Sequence, residues 1–170
     1  MQKLLPFAIG SLLAAPNLAH AGEIKISLEL PRMAIAEYHK PYVAIWLERP
    51  DHTFAGNLAL WYDIKKADGE GTKWLKDLRQ WWRRSGRELS LPIDGLSSAT
   101  RTSGVQTLSL SSQAAVFAGL TPGDYQLQIE AVREGGGREV VQLPFHWPAT
   151  STSVSAQGKT ELGNISLTIK

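Results

Sequence analysis

The chain has no cysteine. That excludes disulfides, thiolate metal sites, CxxCH haem attachment and an acylated lipoprotein anchor. It also lacks an excess of either charge: 18 Lys and Arg face 16 Asp and Glu, for a formal net charge of +2. A general nucleic-acid binder would carry a strong basic excess, so that class is excluded. Beyond residue 21 there is no long apolar run, whereas a membrane-spanning helix needs about 20 consecutive apolar residues. Histidine is sparse. His39, His52 and His146 stand far apart, with no HxH or HxxxH pair, so no metal site is predicted. Ser85-Gly86 and Ser103-Gly104 lie in no nucleophile-elbow frame, and nothing points to a hydrolase triad.

What is present begins with an export signal. Lys3 gives a short positive region, Leu4 to Leu18 an apolar stretch broken by Pro6 and Pro16, and Ala19-His20-Ala21 the small residues that a signal peptidase reads. This predicts cleavage after Ala21 and a periplasmic protein that is not membrane-spanning. Residues 22–170 are then enough for one ordinary domain with its own core, and such a core removes the need for disulfides.

The rest of the chain reads mainly as β structure. Glu23 to Leu30 alternates, with Ile24, Ile26, Leu28 and Leu30 on one side. Tyr42 to Leu47 is an unbroken β-branched and aromatic run, as expected of a central strand. Asn57 to Ile64, Val105 to Leu110, Asp124 to Val132, Arg138 to Phe145 and Asn164 to Ile169 follow. Gly135-Gly136-Gly137 turns the fifth of these strands into the sixth as a hairpin. About seven strands with turn signals between them predict an antiparallel β-sandwich. The segment from Leu120 to Leu127 resembles the turn-then-strand corner of immunoglobulin-like and transthyretin-like sandwiches. Tyr125 there would fill the corner and tie its hydroxyl to backbone.

Residues 65–104 break the pattern. In Thr72 to Ser85, Trp74, Leu75, Leu78, Trp81 and Trp82 recur at spacings of three, four and seven. They predict one amphipathic helix, with Thr72 as N-cap, Gly86 as stop, and Lys73, Lys76, Arg79, Arg83 and Arg84 on the opposite face. A helix and loop inserted into a sandwich make an excursion of a length that is often functional.

Within the excursion lies Asp94-Gly95-Leu96-Ser97-Ser98-Ala99-Thr100. It resembles the acceptor sequence of FAD:protein FMN transferases: Asp, a small residue, any residue, Ser or Thr, Gly or Ser, Ala, Thr. All six constrained positions match, and chance would give such a match in a chain of this length with a probability on the order of 10⁻⁴. Subunits of the sodium-pumping NADH:quinone oxidoreductase and of Rnf complexes carry such acceptors. The resemblance to them covers this heptapeptide only. It implies FMN joined to Thr100 by a phosphoester, with the protein as substrate of the transferase and not itself an enzyme. Gly95, Ser97, Ser98 and Ala99 are small enough to let the backbone enter the transferase site. A tether would also keep flavin from diffusing away outside the cytoplasm. Trp74, Trp81 and Trp82 are candidates to stack on the flavin, and Arg83, Arg84 or Arg87 to face its phosphate. Core anchoring is the competing role for each tryptophan.

Lys40 to Trp46, Leu60 to Asp63, Trp74 to Arg87, Asp94 to Thr100, Glu134 to Glu139 and Pro144 to Pro148 together carry a wider resemblance. Over nearly all of residues 22–170 the chain resembles a bacterial periplasmic family catalogued as a domain of unknown function, family 2271. Its members are similar to proteins encoded near PepSY-type membrane electron-transfer proteins and FMN transferases, sometimes beside metal-uptake receptors. The resemblance implies an electron carrier, for iron reduction or respiratory electron transfer. The alternative is a non-redox docking module that uses the basic tryptophan-rich helix against an anionic partner, a polysaccharide or lipid headgroups.

Overall fold

The computed structural model describes residues 22–170. The expected signal peptide, residues 1–21, lies outside them. Among the described residues, nine strands form two sheets: β1 (Glu23–Leu30), β2 (Tyr42–Glu48), β3 (Phe54–Tyr62), β4 (Ser97–Ala99), β5 (Gly104–Ser111), β6 (Gly123–Val132), β7 (Arg138–Trp147), β8 (Thr152–Gln157) and β9 (Asn164–Ile169). One sheet runs β5-β1-β9-β8, the other β4-β3-β2-β6-β7. Every pairing is antiparallel except that of β4 with β3.

Alternation builds the main core. Ile24, Ile26, Leu28 and Leu30 of β1 and Ile165, Leu167 and Ile169 of β9 meet Val43, Ile45 and Leu47 of β2 and Leu127 and Ile129 of β6. Each such side chain contributes roughly 1.5–3 kcal/mol by leaving water. At the corner, Tyr125 is buried and its hydroxyl donates to the Thr121 carbonyl at 2.8 Å, the role expected of it. The Arg49 guanidinium lies 4.4 Å from the centre of that ring.

β2 is buried on both faces, which is why its sequence does not alternate in polarity. Its second face, with Leu60 and Tyr62 of β3, packs Ala44 and Trp46 against Leu75, Leu78 and Trp81 of the excursion. The excursion is therefore a third layer over the five-stranded sheet.

That layer is not the single helix predicted over Thr72 to Ser85. A 3-10 segment, Ala67–Asp77, is interrupted at Asp68 and Gly69, where φ is 55° and 66°. Leu78 is non-helical (ψ 68°), and α1 spans only Arg79–Arg84. A further short helix, α2 (Ala115–Ala118), buries Phe117 in the main core. The break at Leu78 has a distant cause. The Gln80 and Trp81 N–H groups donate to the Glu130 carboxylate of β6, at 3.1 and 2.8 Å. An unbroken helix would send those protons to its own carbonyls; a buried carboxylate is the stronger acceptor. Thr72 does not cap a helix; its hydroxyl donates to the Gly69 carbonyl. Gly86 follows the end of α1, and a Cβ there would come within 2.5 Å of the Trp81 ring.

A second carboxylate fixes the hairpin of β6 and β7. Glu139 accepts the N–H groups of Lys159, Thr160, Glu161 and Leu162 between β8 and β9. Burial opposes its ionisation, but these four donors outweigh burial and hold its carboxyl below the ordinary 4.5. Ionised Glu139 thus stabilises the fold above about pH 4.5, and this contribution is lost as pH falls through the lower folded value. Urea unfolding of Glu139→Gln is expected to start below wild type at pH 7, with the gap closing on acidification below 4.5.

Candidate functional site

The acceptor-like heptapeptide opens as a turn and closes as an edge strand. The Leu96 and Ser97 N–H groups donate to the Ile93 carbonyl at 3.2 and 2.9 Å. Gly95 sits at φ 76°, a conformation that favours glycine. The Ser97 hydroxyl accepts the Ile93 N–H at 3.0 Å. Ser97, Ser98 and Ala99 then pair in parallel with Leu60, Trp61 and Tyr62 at the edge of the five-stranded sheet. Asp94, Gly95 and Ala99 are exposed; Ser97, Ser98 and Thr100 are half-buried.

Thr100, one residue past β4, lies on the wall of a cavity of about 750 Å³. Small-molecule sites span roughly 300–1,000 Å³. The excursion contributes Trp74, Asp77 and Arg79 to the wall, the approach to β2 contributes Tyr38, His39, Lys40 and Tyr42, the exit from β3 contributes Asp63, and the β6–β7 turn contributes residues 132–138. Burial raises the pKa of both phenols, so Tyr38 and Tyr42 remain neutral hydroxyls.

The turn wall is pinned. Arg133 makes a two-pronged pair with Glu161, at 3.0 and 3.1 Å, and Glu161 also accepts the Gly137 N–H at 2.7 Å. Arg138 pairs with buried Glu130. His39 lies between Glu37 and Glu134, at 3.3 and 3.7 Å. Lys40 and Arg79 make no ion pair among the described residues. The lining thus combines a flat aromatic surface and neutral phenols with mixed charge, Lys40 and Arg79 on one side of the balance and Asp63, Asp77 and Glu134 on the other, a set that can take a largely aromatic ligand with polar substituents. Among the described residues, no three His, Asp or Glu side chains converge on a possible metal position.

The other expected contacts lie elsewhere. Trp81 is 0% exposed and donates its indole N–H to Asn57 at 2.8 Å, so its role is to anchor α1 to β3. Trp82 is half-buried, tilted against Trp81 with ring centres 6.3 Å apart. Arg83 is exposed, its Nε donating to the Arg79 carbonyl. Arg84 pairs with buried Glu48 at 3.1 Å, and Arg87 donates to the Arg83 carbonyl. None of these five lines the cavity. The basic face offered as a docking surface is thus partly committed to the protein itself. No helix among the described residues is long and apolar enough to cross a membrane.

A family model described as "Predicted periplasmic protein (DUF2271)" matches residues 23–164. No curated protein and no solved structure matches the chain.

Proposed function

We propose that this chain, which belongs to the DUF2271 family of predicted periplasmic proteins, is an exported electron carrier with FMN esterified to Thr100. The observation that carries this reading is that the last residue of the acceptor motif lies on the wall of a cavity sized for a small molecule. The Thr100 hydroxyl oxygen attacks the FMN-side phosphorus of FAD, held by a FAD:protein FMN transferase. A Thr–O–P bond forms as the bond to the AMP phosphate breaks, and AMP departs with the hydroxyl proton. The protein is the transferase's substrate, not an enzyme.

The attached flavin supplies one- and two-electron transfer. The chain supplies position: a tether at the edge of a rigid sheet, a cavity beside it, and Lys40 and Arg79 to offset negative charge. A PepSY-type membrane protein is the electron-transfer partner of this reading, and extracytosolic iron or other metal reduction its service. The supporting scaffold is read as an immunoglobulin-like or transthyretin-like sandwich, on the strength of the Tyr125 corner.

Intact-mass measurement tests the proposal. Protein from a host with a functional transferase should weigh one FMN, less water, above the processed chain. The bare processed chain alone would overturn it.

A further inference from the structure

We infer that the isoalloxazine ring of the attached FMN docks in the cavity against Trp74 and does not swing free on its tether; this rests on the proposed flavinylation of Thr100. Trp74 is 48% exposed, while Leu75 and Leu78 beside it are fully buried. Its neighbours anchor the segment, so the indole is left over as a flat apolar surface facing the space that Thr100 also lines. Leaving an indole in water forgoes burial energy that a stacked ring would recover.

The cavity is also preorganised. Arg133 and the Gly137 N–H are fixed by Glu161, and Glu139 fixes the start of β7 to the β8–β9 connection. A ligand entering such walls orders little else, which favours docking over free motion. Lys40 and Arg79 are left to meet the phosphodiester or the electron-rich carbonyls of the ring. Trp81 is no rival for the stacking role, because its indole fills the layer between α1 and the sheet.

The test uses the full chain coexpressed with an FMN transferase. A fluorescent band on a denaturing gel reports the ester. Native emission and anisotropy of the same sample, compared with the sample unfolded in guanidinium, report docking, since electron-rich indoles quench flavin emission on contact. Wild type should be quenched and rotationally restricted until unfolded. Trp74→Ala should keep the gel band and the fold, lower the docked-to-free ratio about fivefold, the loss of one aromatic stack, and brighten native emission. Trp74→Phe should fall between them. A band with native emission equal to that of the unfolded sample, or unchanged in Trp74→Ala, overturns the docked ring but leaves the ester. No band in wild type overturns the ester and the ring site together.

Discussion

On the proposed attachment, Thr100→Val is expected to yield a folded protein with no covalent flavin. Valine keeps the branched shape of threonine and its fit to extended backbone, and loses only the nucleophilic oxygen. Thr100 is half-buried beyond the last residue of β4, so stability should change by less than about 1 kcal/mol, as for a near-surface substitution. Nearby hydroxyls are poor substitutes. Neither Ser97 nor Ser98 stands at the last position of the acceptor pattern, which is a threonine. Thr100→Ser restores a hydroxyl in the same place and should recover part of the labelling. Gel fluorescence after coexpression with the transferase reads all three proteins at once. Full labelling of Thr100→Val would place the ester on another residue and sink the assignment.

Glu130→Ala should cost about 3 kcal/mol of folding stability. The carboxylate is fully buried and serves three partners: the Gln80 and Trp81 N–H groups and the Arg138 guanidinium. Removing one member of a buried pair typically costs about 3–5 kcal/mol, and each orphaned buried donor about 1–3 kcal/mol. Arg138 is 33% exposed and can turn to water, which holds the total near the low end. Glu130→Gln keeps one accepting oxygen and should cost less. Urea unfolding gives the magnitude, and near-ultraviolet circular dichroism reports whether Trp81 loosens. A loss below about 1 kcal/mol would mean that the excursion is held by Leu75, Leu78 and Trp81 alone. The same change should disturb the cavity, since Glu130 ties Arg138 on one wall to the helix that follows Trp74 on another.

How much of this was legible depends on whether the cause was local. Ile24, Ile26, Leu28 and Leu30 alternate because one side of β1 meets one core, and sequence carries that directly. The Tyr42 to Leu47 run reads as central because both sides are covered. β4 and β8 were missed. Ser97-Ser98-Ala99 and Thr152–Gln157 are short and small-residued, and they are strands because β3 and β9 pair with them. In β8 the alternation of Val154 and Ala156 was a faint available signal. The third strand also begins three residues earlier than predicted, at Phe54.

The excursion divides the same way. Period alone picked out Leu75, Leu78 and Trp81 as inward-facing, and they are buried. It could not reveal the break at Leu78, whose cause is a carboxylate about 50 residues away. Nor could it separate Trp74 from Trp81, since both fall on the same arc of an idealised helix. The heptapeptide ending at Thr100 was readable as a motif, but the opposing walls come from Tyr38 to Tyr42 and from the glycine turn at 135–137, which only the topology of β2 and β6 brings near.

β4 is three residues long and pairs on one side only. Opening so small a seam breaks few backbone hydrogen bonds and costs far less than global unfolding. On the flavinylation reading, a chain already folded and already exported can lend out its acceptor segment, receive its cargo and refasten. Assembly of the carrier would then impose no timetable on its own folding.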